Sequence, residues 1–76
     1  MNEAEIREIL VAGLGNCEVE IVIDGNKLGL QLVGEIFEGQ NRVKRQQLVY
    51  ALLGDKIGSG EIHAVSMKCL APSEAG

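Results

Sequence analysis

Few side chains in this 76-residue chain offer chemistry beyond charge, and they fall in three places. His63 is the only histidine and brings the chain's one imidazole, a group able to bind metals or carry protons. Taken alone, a single histidine is most simply a residue satisfied at the edge of a strand. Arg42, Lys44 and Arg45 crowd into one turn and hold three of the seven Lys and Arg residues. Such a cluster is a solvated face, a phosphate-contacting surface, or a dock for an acidic partner. Cys17 and Cys69 stand far apart, form no Cys-x-x-Cys motif, and read as small buried hydrophobes. No Ser or Cys is placed to pair with His63, and neither a phosphate loop nor a pocketed carboxylate pair is present. The chain does not read as an enzyme.

Size and charge narrow the class further. A chain this short buries only about 60% of the surface its unfolded form exposes, which leaves no room for a deep substrate cavity beside a core. A binding or adaptor module is expected, with no small-molecule substrate. Seven basic residues against eleven acidic ones give a net charge of −4, so the basic turn sits on an acidic domain. No apolar run approaches the 18 or so residues that span a bilayer, and no membrane partner is expected. The start, Met1-Asn2-Glu3-Ala4-Glu5, is acidic, the reverse of a signal peptide's basic end. The composition is that of a reduced, cytoplasmic protein.

The elements that must position these groups follow from periodicity. Asn2 caps a first helix with Glu5 in the capping-box position, and Ile6, Ile9, Leu10 and Leu14 line its inner face before Gly13 and Gly15 stop it. Residues 17–23 alternate as a half-buried strand, Asp24-Gly25 signals a type I′ hairpin, and residues 27–33 return with Leu28, Leu30 and Leu32 on one face. Gly29 marks a bulge or a close backbone contact. Phe37 plugs the connection 34–41 into the core. Asn41 caps a second helix, 42–57, whose inner stripe is Val49, Leu52, Leu53 and Ile57. Cations in its first turn oppose the helix macrodipole, so stability alone would not put them there. A last strand, 61–70, places His63, Val65, Met67 and Cys69 on one face, and 73–76 reads as a frayed tail after Pro72. A helix between the second and third strands makes those strands parallel. The fold class is α+β, an α/β sandwich: one domain, 1–76, with helices packed on one face of a three-stranded mixed sheet.

Several separated segments resemble one family. Glu35-Ile36-Phe37-Glu38-Gly39, then Arg42-Val43-Lys44-Arg45-Gln46-Gln47 with Val49-Tyr50, then Ile62-His63-Ala64-Val65-Ser66 and Pro72, are similar to the BolA proteins, in order and at family spacing. The similarity is closest to the short bacterial branch. It implies a fold similar to a type II KH domain. It also implies a non-enzymatic partner of a monothiol glutaredoxin that shares or transfers a [2Fe-2S] cluster in iron–sulfur assembly and iron regulation. In that setting His63 matches the family histidine that serves as a cluster ligand, while the glutaredoxin side supplies its own thiol and that of glutathione. Alone, the chain would hold no cofactor.

One departure from the family stands out. Many members carry a second His or Cys in the loop between the first two strands, but here it reads Ile23-Asp24-Gly25-Asn26-Lys27. Cys69 lies six residues beyond His63, roughly 20 Å along a strand, and Cys17 belongs at the opposite end of the sheet. Further ligands would come from the partner, from water, or from Asp24 as a weak oxygen donor. The alternative function that the family offers is a small DNA-binding transcriptional regulator using the helix 42–57 through Arg42, Lys44 and Arg45. Three cations on an acidic domain give a weak, salt-sensitive DNA interaction. No two glycines have the Gly-x-x-Gly spacing of a KH clamp, and Tyr50 is the sole candidate for base stacking.

Overall fold

The computed structural model describes residues 1–75. Helix α1 (Glu3–Leu14) starts where Asn2 Oδ1 accepts the Glu5 N–H at 2.8 Å and ends at Gly15, whose φ of 76° suits glycine. Only half of the capping box forms, because the Glu5 carboxylate pairs with Lys56 Nζ instead of turning back to the Asn2 N–H. Ile6, Leu10 and Leu14 are its buried face.

Strands β1 (Cys17–Asp24) and β2 (Lys27–Gly34) pair antiparallel, from Asp24 opposite Lys27 to Cys17 opposite Gly34. This register makes Gly25 and Asn26 the central turn residues. Gly25 has φ 60° and, among the described residues, none other than glycine has positive φ, which is the type II′ pattern and not the type I′ turn expected around Asp24-Gly25. Gly29 pairs regularly with Val22 and Ser66, without a bulge. A Cβ there would make only ordinary contacts, 3.6 Å from Ser66 Oγ.

A 3-10 turn, Glu35–Phe37, drives Phe37 fully into the core. Asn41 Oδ1 then accepts the Lys44 N–H at 2.9 Å and opens α2 (Arg42–Leu52). The single helix expected over 42–57 is broken. Leu53 rotates to ψ 3°, and a separate α3 (Gly54–Gly58) follows. Leu53 is completely buried, and its carbonyl accepts the N–H groups of both Lys56 and Ile57 at 3.0 Å. The bend thus seats Leu53 in the core without leaving its carbonyl unpaired.

Strand β3 (Ala64–Leu70) runs parallel to β2, with Lys27 opposite Ala64 and Val33 opposite Leu70. It is shorter than the strand expected over 61–70. Ile62 is buried and donates its N–H to Lys56 O at 3.2 Å, so the chain is still arriving from α3 at that point. The sheet order β1-β2-β3 puts Val19, Leu28, Leu30 and Leu32 on the face covered by Ile6, Leu10, Phe37, Val49 and Leu53. Where a frayed tail was expected, Pro72–Ala75 form a short turn of helix, α4; residue 76 lies outside the described residues.

Helices α1 and α2 pack closely at Gly13, where an added Cβ would fall 2.2 Å from Leu52 Cδ2. Alanine normally improves a helix interior over glycine by about 0.5–1 kcal/mol. Gly13→Ala is expected instead to lower the urea midpoint, since overpacking costs about 1–3 kcal/mol. On a Leu52→Ala background the same change should raise it, and equilibrium unfolding of the four chains checks both signs.

Candidate functional site

His63 directly precedes β3, and its backbone N–H donates to Asn26 O at 2.8 Å. That bond fixes the residue beside the β1–β2 turn, with the side chain exposed. The placement agrees with the parallel pairing expected from sequence, although His63 is not itself a strand residue. Asp24, also exposed, occupies the same end of the sheet. In the register Asp24–Lys27–Ala64 it stands two strand spacings from Ala64, roughly 10 Å. Among the described residues, no three His, Cys, Asp or Glu side chains come together in a way that could hold a metal ion. His63 therefore stands at this end of the sheet as a single exposed imidazole.

The cysteines lie at the other end of the sheet. Cys17 is opposite Gly34 and Cys69 opposite Leu32, and both are free and half-buried. Burial pushes both thiols above the ordinary cysteine range; at Cys69 the nearby Arg45 guanidinium offsets part of that effect. Neither is in reach of His63.

The basic turn divides into two kinds of residue. Arg42 and Lys44 are exposed on α2. Arg45 is not free: its side chain is only 12% exposed and each of its three guanidinium nitrogens donates a hydrogen bond. Nε donates to Gln40 O at 2.8 Å and Nη1 to Cys69 O at 3.0 Å. The fork meets Glu74 through Nη1–Oε1 at 2.6 Å and Nη2–Oε2 at 3.2 Å. Glu74 Oε1 also accepts the Ala71 N–H at 2.8 Å, and Ser73 Oγ donates to Glu38 at 2.8 Å. Arg45 therefore ties the C-terminal turn to α2 and the end of β3, and only Arg42 and Lys44 of the three remain exposed for phosphate. Sequence reading missed this cluster, because nothing periodic relates residues 29 positions apart.

The comparisons with known proteins agree with this architecture. The family model for BolA-like proteins matches residues 24–74. The chain is 42% identical over 74 residues to the acid stress protein IbaG of Escherichia coli strain K12, covering 97% of this chain and 88% of that one. The solved structure of BolA1 from Arabidopsis thaliana matches with a TM-score of 0.87 and 32% identity over the whole of both chains. A BolA homologue from Coxiella burnetii gives a TM-score of 0.83 at 32% identity, over 99% of this chain and 96% of that one. The chain is a member of the BolA family.

The hydrogen bonds and charge of Arg45, together with the Ala71 N–H, hold the Glu74 carboxyl below its usual range. A carboxylate with a depressed folded value stabilises the fold above its unfolded value and loses that contribution as pH falls through the folded one. Wild type should therefore exceed Glu74→Gln in urea midpoint at neutral pH. The gap should begin to close below about pH 4.5 and vanish once the wild-type carboxyl is protonated. Unfolding curves of both chains across that range test the sign.

Proposed function

We propose that this BolA-family chain is a non-enzymatic adaptor that docks to a monothiol glutaredoxin and lends His63 to a [2Fe-2S] cluster held between the two proteins, in iron–sulfur assembly and iron regulation. The observation that carries this reading is an exposed imidazole on a pinned backbone beside the β1–β2 turn. The partner's thiol and glutathione's thiol would supply the other strong ligands, with Asp24 or water as the weaker fourth. A neutral nitrogen in place of thiolate raises a cluster's potential, so transfer between the partners would also alter its redox behaviour.

The Asn26 bond gives the hairpin a direct part in this role. It fixes the Cα of His63 while leaving the side-chain torsions free, as suits a ligand that must meet a metal carried on a separate protein. The DNA-regulator reading is the weaker alternative, since Glu74 neutralises Arg45 and two exposed cations remain on a chain of net charge −4.

Titrating this chain into cluster-loaded monothiol glutaredoxin, followed by visible absorption and circular dichroism, tests the proposal. The expected result is a changed spectrum that saturates at one chain per cluster and is absent with His63→Ala. Asp24→Asn should shift the spectrum if the carboxylate is the fourth ligand and leave it unchanged if water is. An unaltered spectrum with the wild-type chain would remove the cluster role.

A further inference from the structure

The sheet order leaves β3 paired on one side only. Arg45 Nη1 reaches the Cys69 carbonyl from α2, so that carbonyl points away from β2. Along a strand, the N–H and C=O of one residue point to the same side, and alternate residues share that side. The backbone groups of Met67 and Cys69 thus face outward, and Arg45 satisfies only one of the four.

This edge is one wall of a groove of ≈ 780 Å³ whose other wall is the start of α2. Met67 and Lys68 stand on the strand side, and Gln40, Arg42 and Gln46 on the helix side. The volume is within the range of roughly 300–1,000 Å³ common for ligand sites. Unpaired edges are usually blunted by charge or by cover, because they template the addition of another strand. The opposite edge has a matching single contact, Arg7 to Val19 O at 2.9 Å, but is blunted by charge, because Glu18, Glu20 and Asp24 make β1 acidic. The β3 edge has small neighbours in Ala64 and Ser66 and one charge, Lys68.

We infer that this groove docks an extended acidic segment of a partner protein, which adds a short fourth strand at Met67 and Cys69 and turns a carboxylate toward Arg42 and Lys68. Main-chain hydrogen bonds would hold the segment, and the two cations would select its charge. Nucleic acid suits the groove less well. No aromatic ring lines it to stack a base, and Glu74 sits in its wall, cancelling Arg45. The segment is limited to a few residues, since the open edge runs only from Met67 to Leu70 within the groove. The inference does not depend on the cluster: His63 lies at the other end of β3, beside the hairpin.

The test is an amide NMR titration of the full chain with a blocked hexapeptide, Thr-Val-Glu-Val-Glu-Val. The Met67 and Cys69 amides are expected to shift and to exchange more slowly with solvent. N-methylating the peptide's central backbone nitrogens should weaken binding by roughly fivefold for each hydrogen bond lost. Arg42→Glu and Lys68→Glu should each weaken it by up to about fivefold and favour the same peptide with Lys in place of Glu. His63→Ala should bind as wild type, which separates failure here from failure of the cluster role. Equal binding of the N-methylated or lysine peptide would overturn the inference. So would shifts confined to other surfaces, or stronger shifts of the same amides by a single-stranded oligonucleotide.

Discussion

The parallel register between β2 and β3 decides where the chain's one imidazole lies and which carbonyl its salt-bridged arginine meets. With Lys27 opposite Ala64, the residue before β3 falls beside the hairpin turn, and His63 finds Asn26. With Leu32 opposite Cys69, the far end of the same strand meets Arg45. A shift of one residue would turn Val65, Met67 and Cys69 out of the core face and part both contacts. The apolar alternation of β3 against Leu28, Leu30 and Leu32 is therefore what holds the two ends apart, one for an imidazole and one for a salt-bridged arginine.

Arginine recurs as a partial cover for the edges of this small sheet. Three strands leave two edges, and each receives one guanidinium on a carbonyl: Arg7 at Val19 and Arg45 at Cys69. Each is steadied by a carboxylate, Glu3 or Glu74. The Arg7 pair is local, four residues apart on exposed α1, and pairs of that kind contribute little. The Arg45 pair joins three separate elements and is more enclosed. That difference explains why a cation stands at the unfavourable end of α2: Arg45 fastens the C-terminus there, whereas Arg42 and Lys44 have no such structural task.

Much of the fold was legible because it is local. Asn2 and Asn41 announce helix starts through the geometry of their own side chains, and the alternation of Val19, Ile21 and Ile23 needs only its neighbours. The family motif around His63, together with the parallel-strand rule, located that residue near the hairpin. What could not be read depends on distant contacts. Residues 42–57 are all compatible with one helix, and the break at Leu53 comes from its demand for the core. The hairpin residues suit two turn types, and pairing Asp24 with Lys27 chooses between them. Glu74 looked like tail because its partner is 29 residues away.

The hairpin and the parallel pairing also differ in how readily each reforms once opened. Asp24 and Lys27 are three positions apart, whereas Lys27 and Ala64 are separated by 37 (64 − 27). Loop-closure entropy grows as (3/2)RT ln n, so the longer closure costs roughly 2 kcal/mol more. In a partly opened molecule the hairpin outlasts the seam between β2 and β3, and the His63–Asn26 contact belongs to that seam. The imidazole thus comes beside the hairpin only in the fully closed chain, and a nascent or damaged copy would present its hairpin without the histidine there.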